Sequence, residues 1–258
     1  MPIFEVLQMG QFHSNYCEDF LISCEVGANR HLIAVMDGCS MGVESHFAAT
    51  LTGKLLRKIA KEWYYKEFVS KTQLDLSQLL QEVSKSLFEQ LKAQKTQLAL
   101  GREELLSTLM LGILDVDTHA AEILVVGDGL VSCDGTLTEF EQDNKPDYLG
   151  YHLEKAFGDW YAEQHQRLSF NNIEDLSIAT DGIFTFKKYD NKTWPGKQDA
   201  DLIHFLLHDN SRSEQENMLK KKMIFIEEEW GLKPTDDLAV IRVIIAPPSH
   251  TSPALTQT

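Results

Sequence analysis

The chain has 258 residues, 43% of them hydrophobic, enough to bury one large core or two small ones, and one domain built on large sheets fits that length. Basic residues number 24 against 39 acidic ones, a formal net charge of −15 that repels nucleic-acid phosphates and anionic bilayers and argues against both as main partners. Cys17, Cys24, Cys39 and Cys133 show no C-x-x-C spacing and lie in or beside apolar runs, as reduced thiols do. No apolar stretch approaches the roughly 20 residues of a membrane helix, and the opening Met1-Pro2-Ile3-Phe4-Glu5 lacks the basic start of a secretory signal, so a cytoplasmic location is expected.

Short β-like runs open the chain: Phe4 to Met9, Phe20 to Val26, and His31 to Met36 running into Asp37-Gly38. Phe47, Leu51, Leu55 and Ile59 then recur every four residues, and Leu76, Leu79, Leu80, Val83, Leu87 and Leu91 recur every three or four, predicting two long amphipathic helices. The stripe of Phe47, Leu51 and Leu55 is expected in the core. Asp75 is placed to cap the second helix. Thr108 to Asp115 and Ala121 to Val126 read as an antiparallel hairpin ending in Gly127-Asp128-Gly129. A polar stretch and a helical segment from Tyr151 to Gln166 lead to a strand, Leu176 to Thr180, that stops at Asp181-Gly182. Helices near Ala200 to His208 and Ser213 to Trp230 precede a last strand, Leu238 to Ile245. Residues 246–258, with three prolines, read as a disordered tail after a single domain of residues 1–245. Strands, then helices, then strands again predict α+β layers with antiparallel sheets.

Asp37, Asp128 and Asp181 each follow an apolar strand-like run and precede glycine, and Asp236-Asp237 stands just before the last strand. One Asp-Gly after a strand is ordinarily a turn, since aspartate bonds nearby backbone and glycine supplies positive φ. Four strand ends carrying carboxylates are better explained jointly. Hard cations such as Mg²⁺ or Mn²⁺ take oxygen ligands, and a carboxylate cluster repels itself without a cation.

The motifs Asn15 with Glu18-Asp19, Asp37-Gly38-Cys39-Ser40-Met41-Gly42, Ser107-Thr108, Gly127-Asp128-Gly129, Gln142-Asp143-Asn144-Lys145-Pro146, Ala179-Thr180-Asp181-Gly182 and Asp236-Asp237-Leu238-Ala239-Val240 resemble, in this order, the landmarks of the metal-dependent type 2C serine/threonine protein phosphatases. The resemblance implies an α-β-β-α fold: two antiparallel sheets packed as a sandwich and flanked by helices. It also implies two Mn²⁺ or Mg²⁺ ions, with the weaker third position that some members show. Asp37 would bridge both ions; Asp181 and one of Asp236 and Asp237 would complete one site, and Glu18 with the Gly38 carbonyl the other. Asp19 would support that shell, and Asp128 with Asp181 would form the third position. The implied activity is hydrolysis of phosphoserine and phosphothreonine esters on a phosphoprotein substrate in signalling, by a water held between the ions.

The sequence departs from the family at substrate-facing positions. Ser14 stands where members place a phosphate-clamping arginine, and no lysine or arginine precedes Arg30, leaving His13 as the nearby group able to become cationic and bind substrate. Cys39 stands where members have a histidine that supports protonation of the leaving alkoxide, so its thiol becomes the candidate proton donor, or else a small packing residue. The competing readings are a phosphatase-like regulatory module that binds a phosphoprotein or partner without turnover, and an acidic interaction domain with turn aspartates only.

Overall fold

β-Branched and leucine-rich runs of five to eight residues alternate here with two segments of helical period, and the computed structural model, which describes residues 1–42, 44–142, 145–189 and 199–245, sorts them into layers. One five-stranded sheet has the order β2 (Phe20–Gly27), β3 (Arg30–Met36), β4 (Leu109–Asp115), β5 (Ala120–Val126) and β8 (Arg167–Asn171). The other has the order β1 (Ile3–Gln8), β12 (Leu238–Ile244), β9 (Asp175–Ala179), β6 (Gly129–Cys133) and β7 (Thr136–Phe140). All neighbours are antiparallel, and β10 (Phe186–Lys188) pairs with β11 (Leu232–Pro234) beside them.

Inward side chains of the two sheets meet in a buried apolar layer that includes Ile33, Val35 and Ile123 on one side and Ile178, Ile241 and Val243 on the other. The outer face of the first sheet is covered by α1 (Phe47–Ser70) and α2 (Leu76–Gln97) through Leu56, Ile59, Leu80 and Leu87. The second sheet is covered by α4 (Asp199–Leu207) and α5 (Met218–Phe225) through Leu206 and Leu219; the short α3 (Phe157–Glu163) joins the first cluster through Trp160. This is the α+β sandwich expected, in the order α-β-β-α. As expected, the Asp75 side chain caps α2, accepting from the Gln78 amide at 2.7 Å.

Several elements differ from the sequence expectation. The buried face of α1 is Ala48, Ala49, Thr52, Gly53, Leu55, Leu56, Ile59 and Ala60, while Phe47 and Leu51 are only half-buried. Small residues win the contact because they let the helix lie close to β2: a Cβ on Gly53 would stand 2.4 Å from the Phe20 ring. The segment from Tyr151 to Gln166 is helical only at its start, as a 3-10 turn, and over α3. The last helix begins at Met218 rather than Ser213, and ends in a π-helical turn, Ile226–Trp230. Strands β6, β7, β8, β10 and β11 carry too few residues or too few apolar ones to announce themselves. The proposed tail, residues 246–258, and Asp143-Asn144 lie outside the described residues.

At the end of β12 remote from Asp237, the fully buried Arg242 and Lys222 tie down carbonyls of the last turn of α4 and of the residues that follow it. Arg242 forks onto Asp175, with Nη2 to Oδ2 at 2.6 Å, and donates to the His208 carbonyl at 2.8 Å. Lys222 Nζ donates to the Phe205 carbonyl at 2.6 Å and to the Asp209 carbonyl.

Candidate active site

Strand ends of both sheets converge at one rim of the sandwich, and the acidic motifs occupy them. Asp37 follows β3, Asp128 lies between β5 and β6, Asp181 opens a 3-10 turn after β9, Glu18-Asp19 precede β2, and Asp236-Asp237 precede β12. The loop from β1 to β2 is pinned to the loop before β12 by main-chain bonds, Gln11 amide to Pro234 carbonyl and Phe12 amide to Thr235 carbonyl, both 3.0 Å. Gly10 and Gly182 permit the close approach. A Cβ on Gly10 would lie 2.2 Å from the Asp236 carbonyl carbon, and one on Gly182 would lie 1.8 Å from the Asp237 carbonyl oxygen.

The two members of the Asp236-Asp237 pair do different things. Asp237 is buried, and its carboxylate accepts from the Gly10 amide at 2.7 Å and the Glu18 amide at 2.5 Å. Asp236 has a half-exposed side chain, and its charge is felt by both Asp37 and Asp181. The geometry therefore gives Asp237 to holding two loops together and leaves Asp236 facing the other acids. His13 stands between them, its Nε2 3.2 Å from Asp236 and its Nδ1 3.0 Å from Asp237 and 3.8 Å from Glu18. Both ring nitrogens thus face carboxylates.

Asp19 is buried and Asp37 half-buried, and the two carboxyl groups lie near enough for each to perturb the other's titration. Burial, more than any neighbour, pushes Asp19 up to about 8 and Asp37 well above the ordinary carboxylate range; Asp181 adds to both, and Asp19 adds to Asp37. Burial also pushes Asp181 up to about 6, with the charges of Asp128 and Asp236 next in effect, and burial raises Asp128. Thr180 Oγ1 donates to Asp19 Oδ2 at 2.6 Å and accepts from the Ala239 amide at 2.9 Å, whereas Asp19 Oδ1 is buried without a hydrogen-bond partner. Asp37 is set by Thr108, which accepts its amide at 3.0 Å and donates its own to the Asp37 carbonyl at 2.9 Å. Gly38 bridges to Ser107, and a Cβ there would stand 2.8 Å from the Glu18 carbonyl.

Every sequence-predicted residue is thus at this rim: His13, Glu18, Asp19, Asp37, Gly38, Cys39, Asp128, Asp181, Asp236 and Asp237. Among the described residues, however, no group of three or more His, Cys, Asp or Glu side chains is disposed to hold a metal ion as the structure stands. The bonds show where two of the acids are spent: Asp19 Oδ2 is turned onto Thr180, and Asp237 onto backbone amides. The donor set is nonetheless all oxygen, strongly self-repelling, and includes the orphaned Asp19 Oδ1, which is the chemistry a hard divalent ion satisfies. Cys39 is buried against Leu106 and Tyr148, and burial first, with the neighbouring Cys39 next, pushes the Tyr148 hydroxyl upward. Tyr148 and the bracing role of Thr180 were not read from the sequence, although Thr180 lies inside a quoted motif; Tyr148 carries no local signal.

The family model described as protein phosphatase 2C matches residues 12–222. The chain belongs to that family. No curated protein matches it in sequence. Among solved structures, the serine/threonine phosphatase Stp1 from Staphylococcus aureus is similar at 13% identity and a TM-score of 0.60, with 96% of each chain covered. The S. agalactiae serine/threonine phosphatase is 16% identical with a TM-score of 0.60, covering 95% of this chain and 99% of that one. The PP2C phosphatase domain and regulatory-domain fragment of the cell fate determinant SpoIIE from Bacillus subtilis is 18% identical with a TM-score of 0.53, covering 94% of this chain and 63% of that one. At such identities the likeness is one of fold, and this member of the protein phosphatase 2C family is a divergent one. Among its described residues no helix is long and apolar enough to cross a membrane.

Proposed function

We propose that this protein phosphatase 2C member hydrolyses phosphoserine and phosphothreonine esters on proteins and needs Mn²⁺ or Mg²⁺ to do so. The observation that carries the reading is the convergence of acids from five separate strand ends around the buried, orphaned oxygen of Asp19. Asp37, Asp181 and Asp236 would hold one ion, Asp37 with Glu18 and the Gly38 carbonyl a second, and Asp128 with Asp181 a weaker third. Two divalent ions so held supply an activated water and screening of the phosphoryl oxygens.

The chain's own residues prepare the rim. Asp237 fixes the Gly10 and Glu18 amides, Thr180 orients Asp19, and Thr108 fixes the Asp37 backbone. His13 offsets the charge of Asp236 and Asp237 when protonated, and with Ser14 it lines an open pocket of about 410 Å³ that would admit a phosphorylated side chain. Cys39, next to Gly38, is the candidate donor of the proton that the leaving alkoxide takes up.

A second reading, a regulatory module that binds a phosphoprotein or another partner without turnover, is favoured by one observation: both nitrogens of His13 are engaged by acids, so that side chain is not free to clamp a phosphoryl group for hydrolysis. Phosphate release from a phosphoserine peptide separates the two. The expected result is release that requires Mn²⁺ or Mg²⁺ and is lost in Asp37→Asn; metal and phosphopeptide binding with no release supports the module.

A further inference from the structure

The basic residues of this acidic chain are unevenly placed. Helix α1 carries five basic residues and two acidic ones, in a chain with 24 basic and 39 acidic overall. Lys54, Lys58, Lys61, Tyr65 and Phe68 follow one another at intervals of three or four and so form a single ridge along the helix, with Arg57 beside it. The opposite face of α1 is buried on β2 and α2, which turns the ridge to solvent, and all six residues are exposed.

Two features separate the ridge from an ordinary solvated face. Lys58 pairs with Glu62 at 3.7 Å, but among the described residues no carboxylate stands within ion-pair distance of Lys54, Arg57 or Lys61. The helix then ends in exposed apolar side chains, Tyr65 at 56%, Phe68 at 75% and Val69 at 79% exposure, beside a cleft of about 460 Å³ lined by Tyr64, Glu67, Phe68 and Lys71.

We propose that this ridge docks an acidic segment of a partner protein, its carboxylates lying along Lys54, Arg57, Lys58 and Lys61 and one large apolar side chain entering the cleft at Tyr64 and Phe68. Fifteen helical rises of about 1.5 Å separate Lys54 from Val69, a span that roughly seven extended residues cover. A narrow strand of chain is the occupant that the flanking charge selects. Glu62, paired with Lys58, Glu67, which lines the cleft, and Glu82 of α2 flank the ridge and would meet a planar anionic bilayer or a duplex, whereas a single extended segment can lay its acids along Lys54, Arg57 and Lys61 and present only an apolar side chain to the cleft. The ridge leads away from the acidic rim, because α1 begins two residues after Ser45, whose carbonyl closes on Gly38, so docking and turnover are separable.

The test uses the full chain and needs no catalysis. A fluorescein-labelled peptide of about 12 residues, rich in Asp and Glu with one Leu, is titrated by fluorescence anisotropy, beside a Lys-rich counterpart and vesicles of phosphatidylserine and phosphatidylcholine. Saturable binding of the acidic peptide is expected, weakened roughly tenfold by Lys58→Glu with Lys61→Glu and several-fold by Phe68→Ser, with circular dichroism and nitrophenyl phosphate turnover unchanged. Affinity unaltered by the charge reversal, absence of saturable binding, or stronger binding to vesicles than to the peptide would each overturn the proposal.

Discussion

Gly10 donates its amide proton to Oδ1 of Asp237 at 2.7 Å, joining the loop after the first strand to the turn before the last one. The same carboxylate accepts from Glu18, so one buried side chain sets the distance between two of the acidic motifs. Asp236, its neighbour, carries no such load. Asp237→Ala should therefore cost about 2–4 kcal/mol of stability, the toll of two unpaired buried amides, and lower activity through a displaced Glu18. Asp236→Ala should alter stability by less than about 1 kcal/mol and still abolish phosphate release. Urea unfolding beside a phosphopeptide assay checks the split; equal stability losses would show that the pair shares one role.

Removal of divalent metal has a signature independent of turnover. Asp19 is pushed up to about 8, so in the metal-free protein it holds a proton that the unfolded chain releases near pH 4, and Asp37 is shifted in the same direction. The folded state then binds more protons than the unfolded one between those values, and stability falls as pH rises through that window. Bound Mn²⁺ favours the ionised carboxylates and reverses the disadvantage. In chelator, the melting temperature should fall from pH 5 to pH 8. Saturating Mn²⁺ at pH 8 should raise stability by about 3 kcal/mol at a hundredfold excess over Kd. Asp19→Asn should flatten the pH dependence in chelator, and a melting curve indifferent to Mn²⁺ would count against the metal reading.

What the sequence disclosed, and what it did not, follows from how local each signal is. Asp37, Asp128 and Asp181 were legible because a buried strand must end in a turn, and Asp-Gly marks that end in the sequence itself. The long helices were legible from their period, but the side of α1 that faces the sheet was not: Ala49 and Gly53 gain the contact by being small, a property of fit against Phe20 rather than of hydrophobicity. Strand β7 was silent because it is an edge strand with three of its five residues exposed. The division of labour within Asp236-Asp237 depends on amides of Gly10 and Glu18, more than two hundred residues away, and no local pattern encodes it.

Cys39 is the residue on which chemistry and packing compete. It is 5% exposed and packed against Leu106 and Tyr148, yet it follows Asp37-Gly38 directly. A proton donor matters most when the leaving alkoxide is strongly basic. Cys39→Ser should slow phosphoserine-peptide hydrolysis by roughly tenfold or more while leaving nitrophenyl phosphate hydrolysis nearly unchanged, and Cys39→His should restore the peptide rate. Small, equal losses on both substrates would assign Cys39 to packing and the proton to solvent.

Lys222 tests the far end of the sandwich, away from the acidic rim. Its side chain is fully buried, and burial first, with the neighbouring Arg242 charge second, lowers its pKa from 10.5 to about 8 against the opposing pull of Asp209. Between those values the unfolded chain holds a proton that the folded one has lost, so the lysine's contribution to stability rises with pH through that window and is at its least below pH 8. Lys222→Met removes the titration but takes the lysine donor from the Phe205 carbonyl and leaves the Asp209 carbonyl to Arg242 alone, which costs about 1–3 kcal/mol at pH 7. Chemical unfolding of both proteins at pH 7 and pH 9.5 should show the advantage of the parent growing by about 2 kcal/mol at the higher pH. The comparison cancels the cysteines, whose raised values act in the opposite direction in both proteins alike. A difference that stays flat with pH would mean that Lys222 remains charged throughout, held by Asp209 and the Phe205 carbonyl more firmly than burial opposes it.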